Sequence, residues 1–156
     1  MGCSVETASR SSFVKSIDHI GLIVKDMEKA VKFYTDVMGF TLVGEITPWA
    51  GSAEESEAMQ VQEGTLYRCA MVKGPGDVNI QFMEFDHMQD SMPLNVQGAH
   101  YLTYMADDMD AWVKKLVDNG CKLMSKPLMY DEFGTTVQWC YVIDPNGIIF
   151  ELTSAT

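Results

Sequence analysis

Hydrophobic and polar positions alternate over residues 17–26, with His19, Gly21 and Ile23 on one face and Ile20, Leu22 and Val24 on the other. A period of two predicts a strand. The period then lengthens: Met27, Ala30, Val31 and Tyr34 recur at three- and four-residue spacing, the mark of a helix with one buried stripe. Asp26 stands at its N-cap, where a carboxylate accepts a first-turn N–H, and Gly39 stands as its stop.

The same pattern returns later in the chain. At an offset of 82 residues His19 falls on Tyr101, Asp26 on Asp108, Met27 on Met109 and Val31 on Val113, with Gly120 close to the position that answers Gly39. A second echo, at an offset of 70, matches residues 72–81 with 142–151. One of its turns reads Gly74-Pro75-Gly76-Asp77 and the other Asp144-Pro145-Asn146-Gly147, so each predicts a hairpin between apolar strands. Self-similarity of this length means that one supersecondary unit has been doubled.

Between these landmarks, residues 40–46 alternate as a second strand and residues 65–72 and 77–85 as a third and fourth. Residues 47–64 lose the period and collect Pro48, Trp49, Gly51 and four glutamates; a short helix at residues 53–59 is compatible with them. So long a loop in a compact domain suggests a lid or binding loop. Residues 86–97 connect the units. The second unit reads as strand (100–106), helix (108–119), strand (121–125), loop (126–134), strand (135–143) and strand (148–153). Residues 1–13, Ser-rich and without period, are expected to be a disordered tail ahead of a single domain at 14–156.

Composition narrows the function classes. The 156 residues with 47% apolar content suffice for one core. No apolar run reaches the roughly 18 residues of a membrane span and no signal-peptide core precedes Ile17, so a cytoplasmic protein is expected. The opening Met1-Gly2-Cys3 resembles a myristoylation start, but that signal needs Ser or Thr where Glu6 stands. Cys3, Cys69, Cys121 and Cys140 show no paired spacing and read as reduced thiols. A net charge of −11 argues against nucleic acid and against anionic membrane as partners.

Asp18-His19-Ile20-Gly21-Leu22-Ile23-Val24-Lys25-Asp26, the Phe33-Tyr34 and Gly39-Phe40 that follow, and Asp144-Pro145-Asn146-Gly147 leading to Phe150-Glu151-Leu152 resemble the vicinal oxygen chelate superfamily. Its members include glyoxalase I, methylmalonyl-CoA epimerase, extradiol dioxygenases and bleomycin-resistance proteins. The resemblance implies an α+β fold of two tandem βαβββ modules, about 14–86 and 98–154, forming a curved mixed sheet around a concave site. It also implies a small-molecule substrate and a homodimer, with the modules pairing either within one chain or across two.

Metal-using members place four ligands in that concavity, and the matching positions here are His19, Gln81, Tyr101 and Glu151. An imidazole nitrogen, an amide oxygen and a carboxylate suit a divalent ion, with Zn, Ni, Co, Mn and Fe not distinguished. Gln81 resembles the methylmalonyl-CoA epimerase pattern. Tyr101 departs from it, because relatives have His and a phenol with a reference pKa near 10 is a poor ligand. His100 is one residue earlier, so only a bulge turns it inward. Glu84 rivals Gln81 as a ligand but has the opposite parity.

Two readings follow. In the first, a metal-dependent lyase or isomerase acts on a carbonyl-containing substrate through an enolate-type intermediate, with Glu151 or Glu63 as base and Tyr101 as proton donor. In the second, a metal-free protein of the bleomycin-resistance type sequesters an aromatic or cationic compound. Trp49, Met83, Met105, Tyr130 and Phe133 are the candidate substrate-binding residues in either case, with Tyr67 and Trp139 close to the same mouth. Oxygen-dependent ring cleavage needs two histidines and a carboxylate around iron, and one histidine is in place.

Overall fold

The computed structural model describes residues 18–88, 101–132 and 135–155. The expected tail, the connector from residue 89 and His100 lie outside the described residues. Module one runs β1 (Ile20–Ile23), α1 (Met27–Lys32), β2 (Thr41–Val43), α2 (Ala53–Met59), β3 (Tyr67–Lys73) and β4 (Asn79–Phe85). Module two runs β5 (Leu102–Met105), α3 (Met109–Asp118), β6 (Lys122–Leu123), β7 (Leu128–Glu132), β8 (Thr135–Ile143) and β9 (Ile149–Ala155). The two offsets reappear in the elements, since β5 lies 82 residues after β1 and β9 lies 70 after β4. This is an α+β fold with two mixed sheets.

The helix ends follow from the capping residues. Asp26 accepts from the Lys29 N–H at 2.9 Å and Asp108 from the Ala111 N–H at 2.9 Å, each satisfying a donor that helix geometry leaves open. After Lys32 the first helix widens into a π-helical stretch, Phe33–Val37, and this setting buries Phe33, Tyr34 and Val37 together. It stops at Gly39, whose φ of +77° is the left-handed region where a Cβ is unwelcome.

In each sheet the hairpin strands are antiparallel and the first strand lies parallel to the last: Gly21 faces Gln81 and Thr103 faces Glu151. The orders are β1-β4-β3-β2 and β5-β9-β8-β6, with β7 pairing β8 from outside that path. Two local expectations are corrected. The second strand ends at Val43 and does not run to residue 46, because Gly44 turns away at a φ of +74°. The loop expected at 126–134 contains β7, whose residues gain a ladder with β8 that propensity alone does not predict.

Alternation gives each sheet a back and a front. The backs carry Leu22, Ile80 and Phe82 in one sheet and Tyr104, Phe150 and Leu152 in the other, and they share a single core with the helices. Tyr34 is fully buried in it, 4.9 Å from Phe82 and 5.5 Å from Phe40 between ring centroids. Phe40 reaches Tyr104 at 6.1 Å, and Tyr104 reaches Phe150 at 5.3 Å. The modules also meet where the Asp26 N–H donates to Asn146 Oδ1 at 3.2 Å. With both backs turned inward onto this core, both fronts look outward.

Candidate functional site

The front of the first sheet carries Gln81 and Met83 on β4, Cys69 and Met71 opposite them on β3, and Gly21 and Ile23 on β1. His19, two residues before Gly21, continues that face and holds Asp18 Oδ2 through Nδ1 at 2.7 Å. Glu84 has the other parity. It accepts from the Met27 N–H at 3.2 Å and from Arg68 Nε at 2.6 Å, while Arg68 reaches Glu28 through both terminal nitrogens at 2.6 and 2.7 Å. That carboxylate is bound to the helix side, and the polar residues of β4 that face forward are Gln81 and, at the strand's start, Asn79. Arg68 also holds Glu28 below the usual carboxylate range by its hydrogen bonds.

The front of the second sheet is built more densely. Thr103 Oγ1 donates to Glu151 Oε2 at 2.7 Å, fixing the carboxylate between adjacent parallel strands. Tyr141 is the β8 partner of Glu151, and its ring stands edge-on to Tyr101 at 5.0 Å and to Trp139 at 5.7 Å. Leu128, Met129, Trp139, Tyr141 and Glu151 line an open hollow of about 500 Å³. The hydrogen bond with Tyr101, then burial, then the nearby charges of Tyr101 and Glu151 push the Tyr141 hydroxyl up to about 12, so it stays a neutral donor across the physiological range.

Tyr141 is the residue that sequence reasoning passed over. The signal was present in the offset of 70, which sets Tyr141 on Met71, and Met71 is the strand partner of Gln81. The other expected residues are dispersed. Met105 is 77% exposed at the end of β5, and Met83 is half-buried behind Ile23 in the register. Trp49 lies over the Arg68 guanidinium at 4.9 Å, beside the group that serves the helix side. Glu63 is exposed in the turn after α2. Tyr67 donates to Glu55 Oε1 of α2 at 2.6 Å. The Tyr130 side chain and all of Phe133 lie outside the described residues.

The structure thus brings Tyr101, Thr103, Tyr141 and Glu151 together on one front and places His19 and Gln81 on the other. Among the described residues no group of three or more His, Cys, Asp or Glu side chains stands within reach of one metal ion. The donor types still fit a divalent ion: an imidazole and an amide oxygen from one front, a carboxylate from the other.

Two βαβββ modules with these first- and last-strand positions define a class. The family model for the Glyoxalase/Bleomycin resistance protein/Dioxygenase superfamily matches residues 16–152, and the chain belongs to that superfamily. A 2-epi-5-epi-valiolone epimerase from Actinomyces sp. is 25% identical over 142 residues, covering 88% of this chain and 78% of the epimerase. A crystal structure of a glyoxalase family protein from Bacillus cereus superposes with a TM-score of 0.77 at 19% identity, over 95% of this chain and 99% of that one. The fosfomycin resistance protein FosX from Listeria monocytogenes, solved with Mn(II) and sulfate, gives 0.55 at 16% identity over 92% and 94%. No helix among the described residues is long and apolar enough to cross a membrane.

Proposed function

We propose that this protein is a metal-dependent isomerase or lyase acting on a small carbonyl-containing substrate, with His19, Gln81 and Glu151 as the residues that hold a divalent ion. The observation that carries the reading is Glu151, a carboxylate fixed by Thr103 at the floor of an aromatic-walled hollow. Family membership and the epimerase relative support the same class, and FosX supports a divalent ion.

When bound, the ion supplies a Lewis acid for vicinal substrate oxygens. The chain's own groups supply the proton handling. Glu151 accepts a proton from the carbon next to the carbonyl, giving an enolate-type intermediate, and the Thr103 hydroxyl orients its second oxygen. Tyr101 serves as proton donor. Tyr141, neutral and hydrogen-bonded to it, keeps the Tyr101 hydroxyl aimed. Trp139, Leu128 and Met129 shed water from the reacting centre. A homodimer in the cytoplasm belongs to this reading.

A second reading has one observation in its favour. Tyr101, Tyr141 and Trp139 form a continuous aromatic wall where a metal-binding relative has His, which suits sequestration of a flat compound without metal. Thermal unfolding separates the two. Metal at 100 times its Kd adds about 2.7 kcal/mol to the native state. For metal-stripped protein this raises Tm by several degrees. Mn²⁺, Co²⁺, Ni²⁺ and Zn²⁺ are to be tried in turn. The same additions leave the Tm of His19→Ala and Glu151→Gln unchanged. Stabilisation of the parent by planar aromatic compounds, with none from any of the four metals, would establish the second reading instead.

A further inference from the structure

His19 stands one residue ahead of the ladder. β1 begins at Ile20, which pairs with Ile80, and the same register carried one step back sets His19 beside Asn79. Side-chain bonds hold the chain at this point. Asn79 Nδ2 donates to the Asp18 carbonyl oxygen at 3.3 Å, and His19 Nδ1 meets Asp18 Oδ2 at 2.7 Å. Neighbouring residues inside a strand point to opposite faces, so a bond between their side chains needs the backbone that precedes the ladder. The Asp18 side chain is 89% exposed and that of His19 35%. Between groups so open to water such a bond adds little to stability. What it fixes is the imidazole.

We propose that Asp18 is a positioning residue: it keeps the proton of His19 on Nδ1 and so presents Nε2 as the nitrogen that holds the divalent ion. A carboxylate accepts and does not donate, so the hydrogen of the 2.7 Å bond belongs to Nδ1. A neutral imidazole has one lone pair to offer a metal, and the bond made by one ring nitrogen decides that the other carries it. Nε2 is also the nitrogen further from the backbone, so with Nδ1 turned to Asp18 it forms the free tip of the ring. Gly21 is next on the same face and pairs with Gln81, and a Cβ added there would meet nothing within 4 Å. The front between the imidazole and the Gln81 amide therefore stays uncovered. A carboxylate behind a ligating imidazole raises the basicity of the ring and sets its orientation before the ion arrives. Nε2 as ligand rests on the metal site proposed above, while the position of the proton does not.

Two measurements on the parent and Asp18→Ala test the parts separately. The substitution removes an exposed side chain ahead of the first strand, so it leaves the fold intact. Nitrogen-15 NMR of the metal-free protein reads the proton on the neutral ring, with the His19 signals assigned by their loss in His19→Ala. The parent is expected to carry the proton on Nδ1, and Asp18→Ala to lose that preference. A parent with the proton on Nε2, or an Asp18→Ala spectrum that matches the parent's, overturns the lock. Zn²⁺, which is diamagnetic, is then titrated by calorimetry and by NMR. It is expected to shift Nε2 of His19 in the parent, and its dissociation constant is expected to rise about 10- to 100-fold in Asp18→Ala. Zn²⁺ on Nδ1, or equal affinity in the two proteins, overturns the positioning role. If the parent takes up none of the four divalent ions, the metal site fails and Nε2 as ligand fails with it, while the lock is still decided by the metal-free ring spectrum.

Discussion

Replacing Phe82 by alanine is expected to destabilise the protein by about 3–5 kcal/mol and to lower Tm by roughly 10 °C. Phe82 is fully buried on the back of β4 and touches Tyr34, the ring through which the first module reaches Phe40 and then Tyr104 of the second. A cavity there removes contacts from the one core that both modules share. The loss therefore falls on the whole chain. Unfolding of the parent and of Phe82→Ala, followed by far- and near-ultraviolet circular dichroism, is expected to give single coincident transitions. Two separated transitions, with module two unaffected, would show that the modules do not share their core.

Asp144→Asn is expected to change how stability depends on pH. The carboxyl is buried in the turn between β8 and β9, where Oδ1 accepts from the Asn146 and Ile148 N–H groups at 2.7 and 2.9 Å. Oδ2 has no hydrogen-bond partner among the described residues, and the buried Tyr34 and Tyr104 hydroxyls are close enough to feel its charge. Burial pushes the Asp144 carboxyl up to about 6, against the backbone donors and Lys29 that pull it down. The neighbouring Tyr104 and Cys121 are each pushed up to about 12, chiefly by burial, and Tyr34 is raised for the same reason.

The unfolded carboxyl releases its proton near 3.9, while the native one keeps it to about 6. Between those values the native state binds more protons, so this group's contribution to stability is present at low pH and is lost as pH rises through 6. The loss is on the order of 3 kcal/mol. An asparagine oxygen can still accept both turn N–H groups and never ionises. Urea unfolding at pH 4, 6 and 8 is expected to show Asp144→Asn gaining on the parent with rising pH. Taking the difference cancels the opposite trend from Glu28, which Arg68 holds low. Parallel profiles would mean that Asp144 ionises normally in the folded chain.

The doubling could be read from the chain because caps, stops and turns are local chemistry. Asp26 and Asp108 are both N-caps, Gly39 and Gly120 both take positive φ, and the Pro-containing turns both close antiparallel hairpins. Parity set Gln81 and Glu84 on opposite faces, and the match of Gln81 to Glu151 at the offset of 70, not parity, favoured Gln81 as the forward one. β7 was not legible, because its strand form depends on a ladder with β8. Tyr141 was missed for a related reason. Alternation within β8 gives two faces without saying which is the front, and only its pairing with Glu151 decides. Nor could the sequence choose between fronts facing one another and fronts turned outward. Both arrangements bury the same alternate residues, and the contact from Phe40 to Tyr104 distinguishes them.

Elemental analysis of the protein purified from cells grown without added metal tests the function most directly. One transition-metal ion per chain, absent from His19→Ala purified the same way, is the result expected if the imidazole, the amide and the carboxylate hold a catalytic ion. A parent preparation free of metal that also fails to take up Mn²⁺, Co²⁺, Ni²⁺ or Zn²⁺ on dialysis would contradict it.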